Sequence, residues 1–389
     1  MALPACVQAA LSIPEVLIHI LEYVDDEDPE SLPSAIRVNK HWFICGTDVL
    51  WRDGTCEALA NVPQHRRQMY ASKFISLQFS GDDEAAYHAI FQHLEFPRLK
   101  YVSLDAYRPG GGSYPLRQYL QPPLENLFFF GGELDDDLLQ HLQTHCRRLK
   151  RIILDSPGVG VTAESFFNFI VGCRFLEHVK LDHLLTDELM LHLAGRSGLL
   201  TLSTRKIFSI QLLQQILTLA PRPFRALNIF HAAAPSAAVP LVVGLAGNLT
   251  NLHLYIQDAD SDVLGLVSSL TNLHFLSLSF VMPTKLSKQG LMSLKDLTRL
   301  RTLDIGPGES ENASELTAFE SGFTDTDFFD MVSQFQLLFR IRFMVQCDLQ
   351  MPSENLTALI KCWFPKLQEL HISGDDEFSK VVVDAFSNE

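Results

Sequence analysis

One apolar pattern recurs along most of this chain at a nearly fixed spacing: L-x-x-L-x-L, with other large apolar residues standing in for Leu. It runs through Phe74/Leu77/Phe79, Leu99/Val102/Leu104, Leu124/Leu127/Phe129, Leu149/Ile152/Leu154 and Leu176/Val179/Leu181. A degenerate copy, Leu199/Leu202/Thr204, is followed by Phe224/Leu227/Ile229, Leu249/Leu252/Leu254 and Leu273/Leu276/Leu278. Leu300/Leu303/Ile305, Leu338/Ile341/Phe343 and Leu367/Leu370/Ile372 complete the series. Nine of the eleven gaps between successive starts are 23–27 residues, the others 38 and 29. One triplet means little in a chain that is 47% hydrophobic; twelve in register define a repeat.

The last two apolar positions of each triplet are two residues apart and therefore share one face of a short strand. Segments with helical spacing follow, and those beginning at Asp135, Thr162, Thr186 and Ser209 open with a residue type that caps free N–H groups. One strand–helix unit cannot bury its own apolar face, but stacked units share a continuous core. The expectation is an α/β repeat array over 73–380, with parallel strands on a concave face, helices on a convex one, and a tail at 381–389. At roughly 150 residues per domain the 389 residues would otherwise suggest two or three domains. The 38-residue gap holds an acidic Gly/Ser-containing insertion near 306–326, either a lid or a spacer.

Residues 9–55 follow other rules. Ser12 and Glu15 read as a capping-box pair, with Pro14 in the first turn, and Ile13, Val16, Leu17, Ile20, Leu21 and Val24 fall on one helical face. The acidic run from Asp25 to Asp28 should end that helix; a second is expected around Leu32–Val38 and a third over Lys40–Leu50. The third is apolar nearly all round, and three short helices in about forty residues cannot cover it. A second protein chain is implied.

Ile13-Pro-Glu-Val-Leu17, Val38-x-x-x-Trp42 and Leu50-Trp51 resemble an F-box, the helical module that docks on Skp1. Here Glu15 follows Pro14 directly, where many family members insert a residue, and Pro33 sits at the expected start of the second helix. Residues 56–72 resemble the linker helix that joins such a box to leucine-rich repeats, and Cys146 and Cys173, each three residues before a repeat Leu, resemble the cysteine-containing repeat subtype. The whole resembles F-box/leucine-rich-repeat proteins, substrate receptors of cullin-RING (SCF-type) ubiquitin ligases. The resemblance implies a non-catalytic adaptor that meets Skp1 through Pro14, Leu17, Leu21, Val38, Trp42, Leu50 and Trp51, and through Skp1 a cullin. For Trp42, core and interface are equally open readings. A ligase-independent protein-binding scaffold is the alternative.

Positions between the repeat leucines should face solvent and be free to bind a protein substrate. They include Tyr101, Phe128, Phe130, His178, Lys180, Phe230, Tyr255, Phe275, Arg340 and Arg342. Their aromatics exceed what a solvated strand face requires; the competing reading is that long loops cover them, or that one or two are core residues through a register error.

The remaining signals exclude classes. Thirty-one Lys plus Arg against 46 Asp plus Glu give a net charge of −15, which disfavours nucleic acid and an anionic membrane as partners. Seven cysteines without a CxxC pair fit a reducing, cytoplasmic or nuclear compartment, and the N-terminus lacks the charged start of a secretory signal. His141, His145 and Cys146 lack a fourth metal ligand and read as structural. No phosphate-cradling loop, GxSxG, HExxH or Cys/His nucleophile pair appears, so neither enzyme nor cofactor is expected.

Overall fold

The computed structural model describes residues 5–79, 84–105, 116–130, 134–155, 160–181, 184–219, 223–245, 247–258, 263–308, 323–345 and 367–372. The chain divides into two compact units, residues 1–176 and 177–389.

The first unit opens with helices α1 (Ala5–Leu11), α2 (Pro14–Glu27), α3 (Leu32–Ala35) and α4 (Lys40–Leu50). Leu17, Leu21, Leu32, Cys45 and Val49 form their core, with Ile18, Val24, Ile36 and Trp42 packed against it. The backbone of α4 comes so close to α3 that a Cβ on Gly46 would lie 2.2 Å from Ile36 Cγ2. Three local expectations are corrected. No Ser12–Glu15 capping box forms: Ile13 occupies the cap position, and Ser12 Oγ donates to the Ala9 carbonyl at 2.7 Å. Helix α2 runs through Asp25–Glu27 and stops at Asp28, because Pro29 follows. The second helix is only four residues long, preceded by one tight turn at Pro29–Ser31. Helix α4 matches its expected span, capped by Asn39, whose side chain accepts the Trp42 N–H at 3.0 Å.

The expected single linker helix is two, α5 (Cys56–Asn61) and α6 (Gln64–Ala71), separated at Pro63, which cannot continue the first. Arg67 donates to the Val62 and Ala60 carbonyls, both at 2.8 Å, and satisfies the end of α5. Strand β1 (Ser76–Gln78), helix α7 (Glu84–Phe91), strands β2 (Tyr101–Asp105) and β3 (Asn126–Phe130), helix α8 (Asp136–His145), strand β4 (Arg151–Asp155) and helix α9 (Ala163–Gly172) follow. The four strands pair in parallel in chain order, and Leu77, Val102, Leu127 and Ile152 stand in one buried row. Thr55 bridges Gln78, and the Cys56 thiol donates to the Gln78 carbonyl at 2.9 Å, so the outer edge of β1 is partly covered.

The second unit alternates β5 (His178–Leu181), α10 (Asp187–Ala194), β6 (Thr201–Ile207), α11 (Ile210–Leu217), β7 (Ile229–Ala234), α12 (Val239–Leu245), β8 (Asn251–Ile256), α13 (Val263–Val267), β9 (Phe275–Phe280), α14 (Lys288–Ser293), β10 (Thr302–Pro307), α15 (Asp325–Val332), β11 (Arg340–Phe343) and β12 (Glu369–Ile372). These eight strands also pair in parallel in chain order. The helix starts follow the sequence reading: side chains of Asp135, Thr162, Thr186 and Ser209 accept the N–H groups of Leu138, Ser165, Leu189 and Leu212 at 2.7–3.2 Å. Gly306–Gly308 of the expected insertion belong to β10 and the turn after it, and Phe323–Thr326 lead into α15, where Thr324 and Asp327 close a capping box. Its centre, 309–322, lies outside the described residues, as do Asp182, Cys347 and Cys362.

One repeat is displaced from its expected register. In the buried row that crosses the second unit, Val179, Leu202, Phe230, Leu252 and Leu276 stand side by side. The seventh triplet of the series is therefore Leu227/Phe230/Ala232, three residues later than Phe224/Leu227/Ile229. Phe230 is a core residue at 1% exposure, with its ring 5.5 Å from Phe208 and 6.3 Å from Phe224, and it does not face a ligand. Ile229 points the other way.

Candidate functional site

Alternation along the strands decides which side chains reach the side of each sheet away from the helices. In the first unit these include Tyr101, Phe128 and Phe130, all half-buried. The Tyr101 and Phe128 rings lie 4.8 Å apart and those of Phe128 and Phe130 6.4 Å apart, forming a continuous aromatic patch.

The second unit presents a different face. One register row carries Lys180, Ser203, His231 and His253 on four adjacent strands. The same row continues through Ser277, Asp304, Arg342 and His371. Ser203 Oγ is 3.5 Å from His231 Nδ1, the His231 and His253 rings are 5.4 Å apart, and Tyr255 stacks on His253 at 4.5 Å. Burial, reinforced by His253 and Lys180, lowers His231 to about 4, so its imidazole is neutral at physiological pH. Burial raises the Asp304 carboxyl, against the pull of Arg342 at 3.4 Å and of Ser277. In the neighbouring row His178 meets Thr201 Oγ1 at 2.9 Å, Phe275 is half-buried, and Arg340 forms a two-pronged pair with Glu369 at 2.6 Å.

The sequence-derived set thus separates. Tyr101, Phe128 and Phe130 come together in one unit; Lys180, Tyr255 and Arg342 lie on or beside the His231 row in the other; Phe230 leaves the set. His231 was missed because the displaced triplet assigned its neighbours to the wrong faces. Asp304 lies between Leu303 and Ile305, where the period-two rule by itself points to it.

The proposed docking residues divide likewise. Leu17 and Leu21 are 0% exposed and hold the helices together, so they offer no surface to a partner. Trp42 packs against that core. Trp51 is half-buried, stacked on Tyr70 at 4.5 Å and 5.9 Å from Phe74, so it joins the helices to the linker. Pro14, Val38 and Leu50 are exposed. Ile13, Val16, Ile20, Tyr23, Phe43 and Ile44, absent from the expected set, are exposed as well, Tyr23 at 66%.

His141 and His145 stack at 4.2 Å, and His141 Nε2–H donates to the Leu120 carbonyl at 3.0 Å. Cys146 is buried and its thiol pushed up to about 12 by that burial. No grouping of three or more metal-ligating side chains occurs among the described residues.

No protein-family model matches the chain, and no curated protein matches it. Among solved structures, it is similar to the leucine-rich-repeat ectodomain of the plant receptor kinase GASSHO1/SCHENGEN3 from Arabidopsis thaliana, solved with CASPARIAN STRIP INTEGRITY FACTOR 2, at 12% identity and a TM-score of 0.38. That match covers 74% of this chain and 34% of the other. It is also similar to a chain of the Drosophila Toll–Spatzle complex, at 12% identity and a TM-score of 0.33, covering 83% of this chain and 50% of that one. The chain spans half or less of these neighbours' lengths.

Proposed function

We propose that this protein is a non-catalytic adaptor that docks on Skp1 through its N-terminal helices and presents protein substrates, held on its repeats, to a cullin-RING ubiquitin ligase. The observation that carries this reading is the apolar exterior of α2–α4. A cluster with five buried core residues leaves Ile13, Val16, Ile20, Tyr23, Val38, Ile44 and Leu50 in solvent. Exposed apolar side chains in this number on so small a helical cluster mark a protein interface. The F-box resemblance names the partner, and such a role places the chain in the cytoplasm or nucleus. The docking residues are Pro14, Val38 and Leu50 together with the outward face of α2, while Leu17, Leu21 and Trp51 support them from within.

Co-purification tests the proposal. Ile20→Glu with Val38→Glu changes only exposed side chains, so the fold should survive while Skp1 and cullin are lost from the pull-down. Skp1 retained without cullin would favour the ligase-independent scaffold. Absence of Skp1 from the wild-type pull-down would overturn the reading.

A further inference from the structure

The chain as a whole is strongly acidic, with a net charge of −15. The start of the second unit's central row runs against that balance. Lys180, Ser203, His231 and His253 occupy successive strands, with Tyr255 stacked beside the last, and every one of these side chains can donate a hydrogen bond. Lys180 forms no ion pair among the described residues. On the strands next to His231 and one beyond, the charged and titratable side chains are His178 and Lys180 on β5, Arg205 and Lys206 on β6, and His253 and Tyr255 on β8, with Lys206 turned to Asp187 at 2.8 Å. Asp304 is three strands away on β10, and Asp258 is turned to the Ser236 N–H at 2.8 Å. The electrostatic influences on His231 are repulsive, from His253 and Lys180. Further along the row, one strand before His371, Arg342 reaches Asp304 at only 3.4 Å, through one nitrogen, and keeps the rest of its fork for another acceptor. Six strand spacings of about 4.8 Å separate Lys180 from Arg342, roughly 29 Å, which about nine extended residues span.

We infer that this row binds an extended acidic segment of a partner protein, which crosses the strands with carboxylates on Lys180 and Arg342 and its middle over His231, His253 and Tyr255. This rests on the reading of the repeats as a substrate-binding face and names the chemistry of the substrate. A carboxylate seated between the two imidazoles favours their charged forms, so binding takes up protons. Each proton taken up strengthens binding about tenfold per pH unit in the range where it is acquired.

Fluorescence anisotropy on the full-length chain tests this, with a fluorescein-labelled peptide Gly-Glu-Glu-Tyr-Glu-Glu-Tyr-Glu-Glu-Gly and its all-Gln counterpart as probes. The Glu peptide is expected to bind at least tenfold tighter than the Gln peptide, with a further gain on the order of tenfold between pH 6.5 and 5.5. Lys180→Met should abolish the discrimination and Lys180→Arg restore it; His231→Gln with His253→Gln should flatten the pH dependence. Changing Phe128 and Phe130 to Ser in the first unit should alter neither. Equal affinity for both peptides, or displacement of the Glu peptide by equimolar inorganic phosphate, overturns the inference; the latter would assign the row to a free anion. Skp1 capture from the same preparation separates the two claims, since failed discrimination with Skp1 bound refutes only this one.

Discussion

Replacing Phe230 by Ala distinguishes the register of the seventh repeat from the one its local sequence suggests. The ring is 1% exposed, between Leu202 and Leu252 in the central buried row and against Phe208 and Phe224. Truncating it removes the transfer energy of an aromatic side chain and leaves a cavity that flanking strands, fixed by their own ladders, cannot fill; such changes cost about 3–5 kcal/mol. In a repeat array the loss falls mainly on the mutated unit and its neighbours, so a global midpoint understates it. Amide hydrogen exchange over β6–β8 is the suitable assay. At 1.36 kcal/mol per tenfold, protection there should fall by roughly two to three and a half orders of magnitude, while β9–β11 change less. Phe128→Ala is the control: that ring is half-buried on the open side, and its loss should cost about 1 kcal/mol or less. If both variants lost protection equally, or Phe230→Ala weakened ligand binding with exchange unchanged, Phe230 would face the ligand after all and the Leu202–Phe230–Leu252 register would be wrong.

Three further outcomes follow from the same packing. Leu21→Ala should destabilise the N-terminal helices by about 2–5 kcal/mol, read as faster proteolysis within residues 5–50, whereas Val38→Ser at 61% exposure should leave proteolysis unchanged. Tyr119→Phe removes the hydroxyl 3.2 Å from His88 Nδ1, in a buried group where Glu84 holds His88 Nε2 at 3.0 Å; a cost of about 1–2 kcal/mol in thermal unfolding of the first unit is expected. His231, held neutral by burial, binds fewer protons folded than unfolded between its ordinary value and about 4. Its contribution to stability is therefore lost as pH falls through that window, by about 3 kcal/mol before solvent screening and on the order of 1–2 kcal/mol after it. His231→Gln should flatten the acid limb of urea unfolding by that amount.

The strands and the caps of the repeat helices were legible because they depend on short-range rules. Alternation fixes a strand's two faces, and Asp, Thr or Ser before a helical run meets the same orphan N–H groups wherever it occurs. Two of the features that were not legible failed for different reasons. Phe224/Leu227/Ile229 satisfies the repeat pattern three residues early, and Phe224 is itself buried, in a left-handed backbone conformation. Only pairing with Leu202 and Leu252 singles out Phe230, and an odd shift exchanges the faces of every residue in the strand. In α2 the stripe Ile13, Val16, Leu17, Ile20, Leu21, Val24 is apolar throughout, so hydrophobicity alone cannot say that the Leu17–Leu21 edge turns inward and the Ile13–Val16–Ile20 edge outward. Leu32, Cys45 and Val49 make that choice, from helices up to 32 residues away in sequence.

Stability and recognition are therefore separable along each strand, residue by residue. The inward positions are filled by apolar side chains almost throughout, Thr204 being a buried exception; the intervening positions carry no such demand. That freedom lets the first unit display Tyr101, Phe128 and Phe130 while the second displays Lys180, His231, His253, Asp304 and Arg342 on the same kind of parallel ladder. Substitutions on the open row should change what is bound and leave exchange protection intact. Substitutions one residue away along the same strand should do the reverse. Phe230 and His231 are adjacent in sequence and fall on opposite sides of that division, so the pair Phe230→Ala and His231→Gln tests it within a single strand: loss of protection from the first with acidic-peptide binding weakened only through unfolding, and loss of pH-dependent binding from the second with β6–β8 still protected.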